Sequence, residues 1–174
     1  CGSMTTSKDL ASVQLDMIDG STKSMSEFLD KLVLVVNVAS RCGFSPQYGR
    51  LENLHRELSP RGFTVLGFPS NQFQQELDSE ESIKVYCSIT WGVTFPMTNK
   101  VELDGPNQHP LYAKLTEVPF SDGTNGPIRW NFEKFLLSPD GSIFRIEHDI
   151  KPDSDGVMAL INAHLPHADK ELGS

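Results

Sequence analysis

Apolar and polar residues alternate from Val13 to Ile18, and Asp19–Gly20 follows, which predicts an opening β-hairpin. Lys23–Asp30 predicts a short turn of helix. Leu32–Val38 is apolar on both faces, the pattern of a central strand covered on both sides. The run then breaks at Ser40–Arg41–Cys42–Gly43, and Ser45–Pro46 is a good N-cap and first-turn pair. Leu51, Leu54, His55 and Leu58 repeat at three and four residues, so a helix with one inner face follows. Pro60–Arg61–Gly62 stops it, and Phe63–Phe68 predicts a second buried strand ended by Pro69.

Further on, Asp78-x-x-Glu81 is spaced like a capping box, opening a helix to Thr90 whose inner face carries Ile83, Tyr86 and Cys87. Val93–Val101 predicts a third strand region, and Pro96 within it favours an edge or a bulge. Pro119–Pro127 is rich in Gly, Ser and Pro and predicts a surface loop. Asn131–Leu137 and Ser142–Glu147 flank Ser138–Pro139–Asp140–Gly141, a turn sequence, and predict a second hairpin. Val157–Leu165 predicts a closing amphipathic helix. Alternating strands and helices ending in a hairpin and a helix predict an α/β protein, a sheet with helices on its faces.

The chain has 174 residues and no repeat, low-complexity tract or linker, so one domain is expected over residues 10–166. Cys1–Gly2–Ser3 before Met4 has the look of a cloning scar, and 167–174 of a C-terminal tail. Setting Cys1 aside leaves Cys42 and Cys87, too few for a secreted disulfide framework. No signal-peptide core and no apolar run long enough to span a bilayer is present, so a cytoplasmic location is expected. The formal charge of −8 argues against nucleic acid and anionic membrane as partners, which need clustered Lys and Arg.

Cys42 is the residue with the clearest chemistry. A thiol at a strand-to-helix turn feels the positive end of the helix dipole and unpaired amide donors, and both favour the reactive thiolate. The turn alone leaves two readings open, a nucleophile or a small buried hydrophobe.

Four more segments stand beside it: Gly67–Phe68–Pro69–Ser70–Asn71–Gln72–Phe73, Trp91–Gly92–Val93–Thr94–Phe95–Pro96, His109–Pro110–Leu111–Tyr112 and Trp130–Asn131–Phe132–Glu133–Lys134–Phe135. With Asn37–Val38–Ala39–Ser40–Arg41–Cys42–Gly43 they closely resemble the glutathione peroxidase family, in the family's order and from about Val13 to Leu165. The resemblance implies a thioredoxin-like fold, with a central mixed sheet flanked by helices and an N-terminal β-hairpin. It implies that Cys42 is the peroxidatic residue, and that Trp130 and Asn131 hydrogen-bond its sulfur. It also implies an active-site glutamine before a Glu, here Gln75 before Glu76, with Gln74 as the rival because the segment after Phe73 is one residue short. Indole and amide N–H groups stabilise a thiolate and a departing hydroxide alike, and no metal or organic cofactor is required.

By the same resemblance, Cys87, in Tyr86–Cys87 upstream of Gly92–Val93–Thr94–Phe95–Pro96, resolves the oxidised Cys42 as a disulfide. Thioredoxin would then reduce it, with glutathione as the second choice of donor. Core packing on a helix face is the structural alternative for Cys87. Ser70 stands where relatives often carry a third cysteine, and the short Thr116–Arg129 loop lacks the insertion of tetrameric members. A monomer or weak dimer is therefore expected, open to bulky lipid hydroperoxides. The five histidines are not spaced as metal ligands apart from His164 and His167 near the C-terminus. A redox relay that passes oxidation from Cys42 to a partner protein is the alternative function.

Overall fold

The computed structural model describes residues 7–18, 20–38, 47–70, 94–103, 105–106, 108–120, 123–124, 126, 128 and 132–165. The expected opening hairpin is present as β1 (Gln14–Asp16) and β2 (Thr22–Ser24), antiparallel with Leu15 opposite Lys23. The helical turn expected over Lys23–Asp30 is shorter, a 3-10 turn at Met25–Glu27, because Lys23 and Ser24 belong to β2. Ser24 caps this turn, its Oγ accepting from the Ser26 amide.

The main sheet has the order β4-β3-β5-β6. β3 (Leu32–Val38) runs parallel to β4 (Phe63–Pro69), with Leu32 opposite Phe63 and Val38 opposite Pro69. Between them α1 (Gln47–Leu58) makes the crossover that parallel strands require. Its termination is as read: Ser59–Arg61 tightens into a 3-10 turn and Gly62 closes it at φ +87°, a conformation that favours glycine. β5 (Lys134–Leu137) lies antiparallel to β3 and pairs with β6 (Ile143–Ile146) across the Ser138–Gly141 turn. There the Gly141 amide donates to Ser138 O at 3.0 Å, and Asp140 Oδ1 accepts from the Ser142 amide at 2.9 Å. α2 (Pro110–Leu115) and α3 (Asp155–His164) complete the described elements.

Strand alternation sends side chains into two separate cores. Leu32, Leu34, Val36, Val38 and Leu136 pack with Tyr48, Leu51, Leu54 and Leu58 of α1 and with Val157 and Ile161 of α3. Val33, Val35, Phe135 and Leu137 pack on the other face with Leu111, Tyr112 and Leu115 of α2 and with Leu15 of the hairpin. Each face of the sheet is thus covered, which is why β3 reads as an almost unbroken apolar run. No described helix is long and apolar enough to cross a membrane.

Two expectations need correction. Residues 94–101 do not form a strand: Met97 bridges Gly67 and Thr98 bridges Met17, each in isolation. Pro96 has no N–H to continue a ladder, and only its carbonyl engages, accepting from the Gly67 amide at 3.0 Å. The bridge sits close to β4 because Gly67 lacks a side chain; a Cβ there would meet Phe95 Cε1 at 3.1 Å. The strand expected from Asn131 begins only at Lys134, since Phe132 has φ +69° and breaks the extended backbone. The helix expected from Asp78 to Thr90 lies outside the described residues.

Candidate active site

The carboxyl ends of β3 and β4 and the amino end of β5 meet at one edge of the sheet. Two consecutive β3 carbonyls join them: Asn37 O accepts from the Phe132 amide at 2.6 Å, and Val38 O from the Ser70 amide at 3.1 Å. Asn37 and Ser70 are both fully buried. In open α/β sheets this is the edge where chemistry gathers.

Cys42, Gln75 with its rival Gln74, Cys87, Trp130 and Asn131 all lie outside the described residues. Their chain positions relate them to this edge. Cys42 falls between Val38 and Gln47, Gln75 five residues after Ser70, and Asn131 directly before Phe132. Cys87 precedes Thr94 by seven residues.

Sequence reasoning missed the charged groups beneath the edge. Lys134 is fully buried in β5, on the α1 side of the sheet. Its Nζ donates to Phe132 O at 2.6 Å, to Gln47 Oε1 at 3.0 Å and to His148 O at 3.3 Å. Gln47 Nε2 donates to the same His148 carbonyl at 3.0 Å, closing the network. Burial pushes the Lys134 ammonium down to about 7, against Asp149, Glu133 and Glu147, which pull it up.

Its neighbour Glu133 faces the opposite side, where it forms a fully buried ion pair with Arg145 at 2.7 Å. Arg145 also donates to Val118 O at 2.9 Å and Gly126 O at 2.8 Å, and its guanidinium lies 4.3 Å from the Phe120 ring centre. These acceptors belong to the loop that leads toward Trp130. Phe132 itself is fully buried, edge-on to Tyr48 of α1 with centroids 5.3 Å apart. The available signal was two adjacent charges, Glu133 and Lys134, inside an apolar strand: buried charge must be compensated, and on opposite faces it needs two partner sets.

A second buried carboxylate fixes the segment after Cys87. Glu52 of α1 accepts from the Thr94 amide at 2.7 Å and the Thr94 hydroxyl at 2.5 Å, and pairs with Arg56. Burial alone would raise this carboxyl, but the Thr94 and Arg56 hydrogen bonds outweigh it and hold the group below the usual range. Burial pushes the His55 imidazole below its usual range, and its Nδ1 accepts from the Val65 amide within edge strand β4 at 3.3 Å. His109 serves as N-cap of α2, accepting from Leu111 N at 3.1 Å. Among the described residues no cluster of His, Cys, Asp or Glu is arranged to hold a metal.

A parallel β-α-β unit followed by an antiparallel hairpin, with helices on both faces, defines the thioredoxin-like class of α/β proteins. The crystal structure of Trgpx in apo form superimposes with a TM-score of 0.70 at 31% identity, covering 94% of this chain and 99% of that one. The family profile described as glutathione peroxidase matches residues 10–116. The thioredoxin/glutathione peroxidase BtuE of Escherichia coli is 44% identical over 169 residues, 85% of this chain and 92% of its own. The hydroperoxy fatty acid reductase gpx1 of Synechocystis is 46% identical over 144 residues, 78% of this chain and 85% of its own. The chain belongs to the glutathione peroxidase family.

Proposed function

We propose that this peroxidase reduces hydrogen peroxide and organic hydroperoxides, lipid hydroperoxides included, with Cys42 as its nucleophile. The Cys42 thiolate attacks the outer oxygen of the hydroperoxide and the O–O bond breaks. The departing alkoxide or hydroxide takes up a proton and leaves as alcohol or water, and Cys42 becomes a sulfenic acid. Gln75, Trp130 and Asn131 donate hydrogen bonds to the thiolate and to the charge that develops on the leaving oxygen. The Cys87 thiolate then displaces hydroxide from the sulfenic sulfur, giving a Cys42–Cys87 disulfide and water. A thioredoxin dithiol reduces this disulfide by exchange, itself becoming oxidised. Glutathione is the secondary donor.

The observation that carries this reading is the pair of β3 carbonyls, Asn37 and Val38, which hold the amides of Phe132 and Ser70 at one edge. Three segments that the motifs make catalytic therefore depart from neighbouring points. The names of the relatives support the substrates, one a thioredoxin/glutathione peroxidase and one a hydroperoxy fatty acid reductase. Two cysteines besides Cys1, too few for a secreted disulfide framework, support a cytoplasmic location, and the short Thr116–Arg129 loop supports a monomer or weak dimer. The test is peroxide consumption coupled to thioredoxin and its reductase, with hydrogen peroxide and a fatty acid hydroperoxide as substrates. Cys42→Ser abolishes consumption on this reading, and unchanged consumption overturns it.

A further inference from the structure

We infer that Lys134 is a positioning residue for the Cys42 reaction, because its ammonium ties the first residue of α1 to the backbone that directly follows Trp130–Asn131. The inference rests on Cys42 being the nucleophile. The three oxygens that Lys134 holds belong to three different segments at the site edge. Gln47 begins α1, five residues after Cys42. The Phe132 carbonyl belongs to the left-handed residue next to Asn131. His148 lies just past β6, on the same edge, since Ile146 pairs with Lys134.

Stability alone is a poor reason for such a group. A buried ammonium loses its hydration, and an apolar side chain of similar volume commonly replaces a buried charge at no loss of stability. Met would fill the same space between α1 and β5. What an apolar residue cannot do is fix three hydrogen-bond acceptors relative to one another. A thiolate and its donors need that kind of precision, since a displacement of about 1 Å can cost on the order of a hundredfold in rate. The carboxylates whose charge reaches Lys134 are Asp149, Glu133 (from the other face of the sheet) and Glu147, and even the neutral amine keeps two donors for the network.

The experiment uses full-length protein in which Cys1 and Cys87 are replaced by Ser, so that Cys42 is the single thiol. The rate of its oxidation by hydrogen peroxide, the pH dependence of its alkylation and the thermal unfolding midpoint are measured for Lys134→Met and Gln47→Met. The expected result for folded Lys134→Met is a peroxide rate down about tenfold and a Cys42 pKa up by about one unit. Gln47→Met, which removes one acceptor of three, shifts both in the same direction by less. In the enzyme with Cys87 restored, Lys134→Met lowers kcat/KM for peroxide and leaves the KM for thioredoxin unchanged. A folded Lys134→Met whose peroxide rate and Cys42 pKa stay within about twofold of the parent overturns the inference. Should Lys134→Met not fold, Gln47→Met decides on the same two readouts, and loss of folding in both overturns the positioning role in favour of a structural one. A parent Cys42 that ignores peroxide removes the proposed function itself, and this inference with it.

Discussion

Phe132 donates its backbone amide to Asn37 O at 2.6 Å, from a left-handed conformation that aromatic residues rarely adopt. Its fully buried ring packs edge-on against Tyr48 while Lys134 holds its carbonyl. The contacts of one residue thus impose an unfavourable φ at the step from Asn131 into β5, and strain of this kind persists only where the surroundings over-determine it.

Glycine and alanine at this position should separate the two contributions. Phe132→Ala loses the buried ring and is expected to destabilise by about 3–5 kcal/mol. Phe132→Gly loses the same ring but relieves the left-handed strain, so it should be the more stable of the two by about 1 kcal/mol. Glycine is ordinarily the less stable of this pair inside a regular element. Urea unfolding of both variants reads the order directly, and an alanine variant more stable than the glycine one would show that φ costs nothing here.

The Glu133–Arg145 pair has no exposed surface on either side chain. Arg145→Met leaves a buried carboxylate without its partner and should cost about 3–5 kcal/mol in unfolding free energy. Replacing both, Glu133→Leu with Arg145→Met, should recover most of that loss. Peroxidase activity should not recover with it, because Val118 O and Gly126 O have also lost their donor. Restored activity in the stable double variant would show that Arg145 is only half of a charge pair.

The sheet was readable because its pattern has one cause: β3 is buried on both faces, and apolar residues on both faces are what a sequence displays. The hairpins were readable through their turns, Asp19–Gly20 and Ser138–Gly141. Phe132 was not, since an aromatic beside apolar neighbours suggests continued strand, and only tertiary contacts at Asn37, Tyr48 and Lys134 hold it otherwise. Nor was the isolated bridging at Met97 and Thr98, where one proline interrupts an otherwise suitable run. The nucleophile and its donors were read from motifs, and the described residues bear on them only through the edge from which they leave. Lys134 was missed because a charge in a strand is ordinarily taken to face solvent, and its acceptors come from positions 87 and 14 residues away as well as two.

Lys134 should also leave a signature in the pH dependence of stability. Folded, its ammonium titrates at about 7 because burial disfavours the charge, against a reference of 10.5. Between those values the unfolded chain holds a proton that the folded one has released, so stability rises with pH across that window. Below it both states are protonated and the burial cost is fully present. The difference in unfolding free energy between parent and Lys134→Met should therefore grow by up to about 1.4 kcal/mol per pH unit from about pH 7.5 to 9.5. Urea melts at the two pH values measure it. A constant difference would mean that the amine keeps its proton throughout, held by Glu133, Glu147 and Asp149.

Cys87→Ser should divide the catalytic cycle at its midpoint. Attack on peroxide involves Cys42 and its donors, so the first equivalent of peroxide should be consumed at the parent rate. Thioredoxin-linked turnover should then stop, and mass spectrometry should find an added oxygen on Cys42 where the Cys1-free parent loses two hydrogens. Closing a disulfide brings two Cα atoms within about 7 Å, and a thiol on the inner face expected for the 78–90 helix cannot reach a separate turn without backbone movement. Downstream that movement is bounded at Thr94, which Glu52 grips through both amide and hydroxyl. Upstream, Ser70 is tied to Val38. Trypsin cleavage at Lys84 should accordingly become faster in peroxide-treated parent protein and stay unchanged in Cys87→Ser. Equal cleavage in reduced and oxidised parent would mean that the sulfenic acid is resolved by an incoming thiol, with Cys87 left to pack the core.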